Sequence, residues 1–176
     1  MQRRWTVIPN QGATLSKVAV CLCVMALSGA AQAQATPASP PHACRMDEVV
    51  LSGPSVSARF SVELADDAGE RALGLMNRPE MARSHGMLFV YDTPGPAAFW
   101  MANTLIPLDM IFVDRRGVIT KVHERAVPLD RTPISGGNAV FAVLEINGGL
   151  AGAMGISVGD VLRHPAFGPE AADPCD

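Results

Sequence analysis

The chain has 176 residues, a net charge of −3 and 48% apolar side chains. That length fits one domain with a sizeable core. The acidic balance argues against nucleic acid or an anionic membrane surface as a partner.

Residues 18–30, VAVCLCVMALSGA, form one apolar run behind Lys17. Arg3 and Arg4 lie upstream and Ala31-Gln32-Ala33 follows. A positive start, a short apolar stretch and a small-x-small site read as a secretory signal peptide over 1–33, cleaved after about Ala33. The run is shorter than the roughly 20 residues of a membrane span, so no stable membrane anchor is expected after cleavage. The first 33 residues carry three basic side chains and no acid, so cleavage takes the charge from −3 to −6. The expected location is periplasmic or secreted. Cys21 and Cys23 leave with the signal. Cys44 and Cys175 stay, near the two ends of the remaining chain, and an oxidising compartment favours one disulfide between them.

Residues 34–46 begin as a Pro-rich linker, and 165–176 as an irregular tail. A single domain is expected over 47–164. In it, Arg59–Leu64 alternates apolar and polar residues, the pattern of a half-buried strand. Asp67 with Glu70 has capping-box form, predicting a helix to about Asn77. Gly74 inside that helix suggests something packed closely on its backbone. Strands are predicted at 86–91 and 97–101 around a turn at 92–96, then an irregular connection over 102–107. Leu108–Val113 and 118–124 form a hairpin about Asp114–Gly117. A long loop over 126–138 precedes an apolar strand, Val140–Ile146. Asn147 is placed to cap a short helix ending at Gly155, and 161–163 is a last strand. The fold class is α+β and β-rich: a mostly antiparallel curled sheet or partly closed small barrel with two short helices.

Several motifs in this order resemble one family. They are Arg71-x-x-Gly74-Leu75-Met76-x-Arg78, Gly86-Met87-Leu88-Phe89, and Phe99-Trp100-Met101-x-Asn103-Thr104-x-Ile106-Pro107-Leu108-Asp109-Met110. Glu124-x-x-x-Pro128, Val143-Leu144-Glu145 and Gly155-Ile156-x-x-Gly159-Asp160 follow. Together they resemble the domain-of-unknown-function family number 192 (DUF192) over roughly residues 59–162. Ala102 departs from the pattern, which often has lysine there. The resemblance implies a small exported or membrane-tethered β-rich domain and supplies no reaction.

The residues themselves suggest a site. Asp109 interrupts a strand that is apolar on both faces, so its carboxylate needs a partner. Arg71, Arg78, Lys121 and the 102–107 backbone are candidates. Asp109 either ties down that connection or lines a pocket with Trp100, Asn103 and Thr104, covered by the 126–138 loop. Asn103 and Thr104 also suit plain turn bonding. Asp109, Glu124 and Glu145 sit on three strands. If they converge, they allow a hard cation or a general acid/base pair; otherwise the glutamates are solvated strand ends. His123 reads as a lone surface histidine, and the methionines over 76–110 as core. Nucleophile elbows, P-loops, dinucleotide fingerprints and His-Glu-x-x-His are all missing from the sequence.

The leading expectation is an exported monomeric binding or accessory module for a small ligand or an envelope protein, without a cofactor. An enzyme built on carboxylates, with or without metal, is one alternative. A protein-interaction domain is the other.

Overall fold

The computed structural model describes residues 43–175. The expected signal peptide and most of the linker lie outside the described residues. Seven strands form one sheet: β1 Glu48–Ser52, β2 Ser57–Ala65, β3 His85–Phe99, β4 Leu108–Val113, β5 Ile119–Ala126, β6 Ile134–Asn147 and β7 Val161–Arg163. Their order across the sheet is β5-β4-β6-β3-β2-β1-β7. Only β2 and β3 run parallel, joined by the crossover that holds helix α1, Ala68–Leu73. The sheet curls into a half-barrel, and its two edges meet at one end. There Val118 bridges Val161, and the Leu162 amide donates to the Gly117 carbonyl at 2.8 Å.

Alternation builds two apolar layers, one on each face. One face carries Leu51, Phe60, Leu88, Ile111 and Leu144, with helix α2, Leu150–Met154, packed at its end. The other carries Met87, Phe89, Met110, Phe112 and Val143. Leu75, Met101 and Ile106 from the connections lie over it. The central strands β4 and β6 are therefore buried on both sides, which is why they read as continuous apolar runs.

The β-rich, curled architecture with two short helices is the one expected. Several elements differ in detail. β1 was not legible as a strand. Residues 92–96 do not turn: β3 continues through them as one strand, paired with β6 across three register shifts. Those irregularities accommodate Pro94 and Pro96, which have no amide to donate. The same pairing makes strand of residues 134–138, expected as loop. Helix α1 ends earlier than Asn77, because Gly74 adopts φ 50° and caps it. A Cβ on Gly74 would sit 3.2 Å from the Phe89 ring, so the close packing anticipated there comes from Phe89. Asn147 does not cap α2. Gly149 holds that position, while the Asn147 amide donates to the Met81 and Ala82 carbonyls at 3.0 and 3.1 Å. Cys44 and Cys175 are bonded, their Cα atoms 5.6 Å apart.

Candidate functional site

Asp109 and Glu145 lie next to each other in the β4–β6 ladder but point to opposite faces. Asp109 pairs with Ile146, and Glu145 with Met110. Directly opposed residues share a face and successive residues alternate. Asp109 therefore joins the layer of Ile111 and Leu144, and Glu145 the layer of Met87 and Met110.

Asp109 is fully buried and fully engaged. One carboxylate oxygen accepts the amides of Arg125 and Gly149 at 2.7 and 2.8 Å, and the other accepts the Ala151 amide at 2.7 Å. In the β4–β5 ladder two residues, Glu124 and Arg125, oppose the single Asp109. This is a β-bulge, and Arg125 in it takes φ 53°. The bulge turns the Arg125 amide onto the carboxylate, so the bonds to Asp109 offset the strain of a non-glycine residue at positive φ. Asp109 thus ties β5 and the start of α2 to β4. None of its expected partners holds it. Arg78 pairs with Glu63, Lys121 donates to the Ser135 carbonyl, and Arg71 donates to the Asp66 and Val90 carbonyls.

Glu145 is nearly as deep, with 4% of its surface exposed, and no hydrogen bond joins its carboxyl to the described residues; its oxygens open on space instead of being sealed in the core. Burial pushes its pKa up to about 8. At neutral pH the group is thus mostly a neutral acid that can donate a proton in a hydrogen bond. It lines a cavity of about 110 Å³.

Around that cavity α1 and the turn after it contribute Arg71, Leu75 and Met76, and β3 contributes Phe89, Tyr91 and Phe99. Trp100 and Thr104 come from the connection to β4. Phe89 and Phe99 meet edge-on with ring centroids 5.1 Å apart, a wall of fixed geometry. The Arg71 guanidinium lies 5.3 Å from the Tyr91 ring centroid. Burial pushes the Tyr91 phenol up, against the opposing pull of Arg71. Thr104 is buried at the wall, whereas Trp100 is 55% exposed at the mouth.

Four of the seven expected site residues therefore come together: Arg71, Trp100, Thr104 and Glu145. Three do not. Asp109 faces the opposite layer. Asn103 is exposed at φ 58°, its carbonyl accepting the Asn77 amide at 2.7 Å, and it serves as a turn residue. Glu124 is exposed and lies against α2 near Gly152. The proposed convergence of Asp109, Glu124 and Glu145 does not occur, and the described residues hold no group of three acidic, His or Cys side chains able to grip a metal ion. The 126–138 loop does reach the connection, where Met101 donates to the Asp130 carbonyl and Leu129 to the Thr104 carbonyl. It borders a separate groove with Lys121 and His123 rather than the cavity. Phe89, Tyr91 and Phe99 were not expected at the site. Phe89 and Tyr91 alternate in step with Met87, and that periodicity is the signal that places them.

A buried acid, an arginine and an aromatic wall at one cavity define a β-rich domain with a single-sided polar pocket. The family model for DUF192, described as "Uncharacterized ACR, COG1430", matches residues 49–164, and the chain belongs to that family. Similar solved structures include the following two. One, from Novosphingobium aromaticivorans DSM 12444, is described as a protein of unknown function. It is 44% identical over 65% of this chain and 82% of that one, with a TM-score of 0.64. The other, from Sinorhizobium meliloti 1021, is described as a "putative transcription regulator". It is 40% identical over 69% of this chain and 95% of that one, with a TM-score of 0.65. No curated protein matches the chain.

Proposed function

We propose that this domain is an exported small-ligand binding module whose ligand occupies the Glu145 cavity. The observation that carries the reading is a buried carboxyl, without a hydrogen-bond partner among the described residues, opening on a cavity beside Arg71, Thr104 and Trp100. A buried polar group normally has a partner. The Glu145 carboxyl instead opens on the cavity, where a ligand can supply the partner. Concave pockets in which a few polar groups converge are the usual form of small-molecule sites. The export half of the reading rests on the N-terminal pattern and on a disulfide joining the two ends of the domain.

The test is a thermal-shift and calorimetric screen of the full chain against small carboxylates, amines and neutral amides, repeated with E145L and W100A. At least one class should raise the wild-type melting temperature, and both variants should lose that shift. No shift with any class, or shifts unchanged in both variants, would refute the cavity as a site.

A further inference from the structure

We propose that the ligand is a small organic monocarboxylate, its headgroup held between Arg71 and the Glu145 carboxyl and its apolar body against the aromatic wall. This deepens the binding reading and rests on it.

Hydrogen-bond donors and a single positive charge face the cavity. Arg71 is the one fixed charge among the lining residues. Its Nη1 serves the Val90 carbonyl at 2.9 Å and the Asp66 carbonyl. Its Nε and Nη2 hydrogens have no acceptor among the described residues, and it pairs with no carboxylate there. Guanidinium groups present such hydrogens as a planar fork that matches a carboxylate. Glu145, kept neutral by burial, adds an acid O–H, and Thr104 a hydroxyl. The guanidinium is the single positive charge facing the cavity and its free hydrogens point to an acceptor, so the complementary headgroup is an acceptor carrying negative charge.

The alternatives fit less well. An ammonium headgroup would meet Arg71 as a like charge and would need Glu145 to ionise where burial disfavours the charge. A dianionic phosphate would find one cation for two charges. A monocarboxylate leaves no charge uncompensated. The body follows from the walls: Phe89 and Phe99 give an apolar flank and Trp100 stands at the mouth. A cavity of about 110 Å³ calls for a short body, of one ring or a few carbons.

Binding should then depend on pH through Glu145. The titratable or charged groups near it are Arg71 on α1 and Tyr91 on β3, with the Glu63–Arg78 ion pair two strands away on the same face. The connection and β4 bring uncharged Thr104, Met101 and Met110. Burial holds the Tyr91 phenol above its ordinary range, so it stays neutral through the window of interest.

The experiment is calorimetry on the full chain with benzoate, benzylamine and phenyl phosphate as probes, between about pH 6 and pH 9.5. Benzoate should bind at least about tenfold tighter than the other two. Its affinity should hold at the acid end and fall about tenfold per pH unit above about pH 8. E145Q, whose amide can still donate, should bind benzoate with that fall removed. R71Q should lose the preference for benzoate over benzylamine, and R71K, which keeps the charge, should retain it. Several results would overturn the proposal. Benzylamine binding better than benzoate would do so while leaving the cavity as a site. Benzoate binding with the same pH profile in wild type and E145Q would remove Glu145 from the headgroup contact. Failure of all three probes while the wider screen finds an amine or amide as the cavity ligand overturns the carboxylate alone. Failure of both overturns the carboxylate and the site together.

Discussion

Asp109 and Glu145 are two buried carboxyls on paired strands, one residue apart in register and on opposite faces of one sheet. Asp109 receives three backbone amides, supplied by a bulge in β5 and the start of α2. Glu145 receives none from the described residues and faces an open volume. Burial alone therefore says nothing about role. What separates a fastening from a site is whether the surrounding backbone has turned its donors toward the group. At Asp109 it has, even holding Arg125 at positive φ to do so.

The comparison breaks most visibly at Asp109. D109A leaves three backbone amides, one of them fully buried, without their acceptor and should destabilise the domain by about 3–5 kcal/mol in urea unfolding, or prevent folding. The isosteric D109N, which keeps one oxygen, should cost less. Reduction of the Cys44–Cys175 bond acts through the unfolded chain instead of on either face. Joining positions 131 residues apart should make it worth 2–5 kcal/mol, near the upper end on a chain-entropy argument. Its loss should lower the unfolding midpoint without altering the cavity.

At Glu145 the sign reverses. E145L replaces an unpaired acid with an apolar side chain of similar size and should stabilise the domain by about 1–2 kcal/mol while abolishing ligand binding. D109L should do the opposite in stability. The pH dependence of wild-type stability carries the same signature. The folded pKa of Glu145 is raised from 4.5 to about 8, so between those values the folded state holds a proton that the unfolded state has lost. Its contribution is fully present below about pH 4.5 and is lost as pH rises toward 8, at up to about 1.4 kcal/mol per unit. Unfolding curves of wild type and E145Q should diverge with that slope.

The smallest effect is expected at His164. Its Nδ1 accepts the Ala166 amide at 3.1 Å, and its Nε2 donates to the Met46 carbonyl at 3.0 Å. Burial lowers its pKa, so its contribution is present above about pH 6.5 and is lost as pH falls through the folded value. H164Q should flatten the acid side of the stability profile and leave the Glu145 slope unchanged.

Much of the fold was legible because alternation and continuous apolar runs report burial directly. β2, β4 and the buried half of β6 follow from them. The ribbon formed by 91–99 and 134–140 was not, because Asp92–Pro96 has the composition of a turn and only pairing across a bulged partner keeps it extended. The site was legible in its residue types and wrong in its centre. Asp109 stood out because a carboxylate in an apolar strand is conspicuous, but its partners are backbone amides from distant segments, which side-chain identity does not reveal. Glu145 looked like an ordinary strand end, since nothing in Leu144-Glu145-Ile146 shows that α1 and the Trp100–Thr104 connection fold over that face. Arg71 and Trp100 lie far from Glu145 in the chain, and the β2–α1–β3 crossover is what brings Arg71 to the cavity.

The most direct measurement is the carboxyl carbon-13 titration of Glu145 by NMR, assigned with E145Q. A midpoint near pH 8 is expected in the free protein, the behaviour of a buried acid that no protein donor or cation holds ionised. A midpoint near 4.5 would show a solvated or paired carboxylate and would contradict the claim that Glu145 waits unpartnered at a binding cavity.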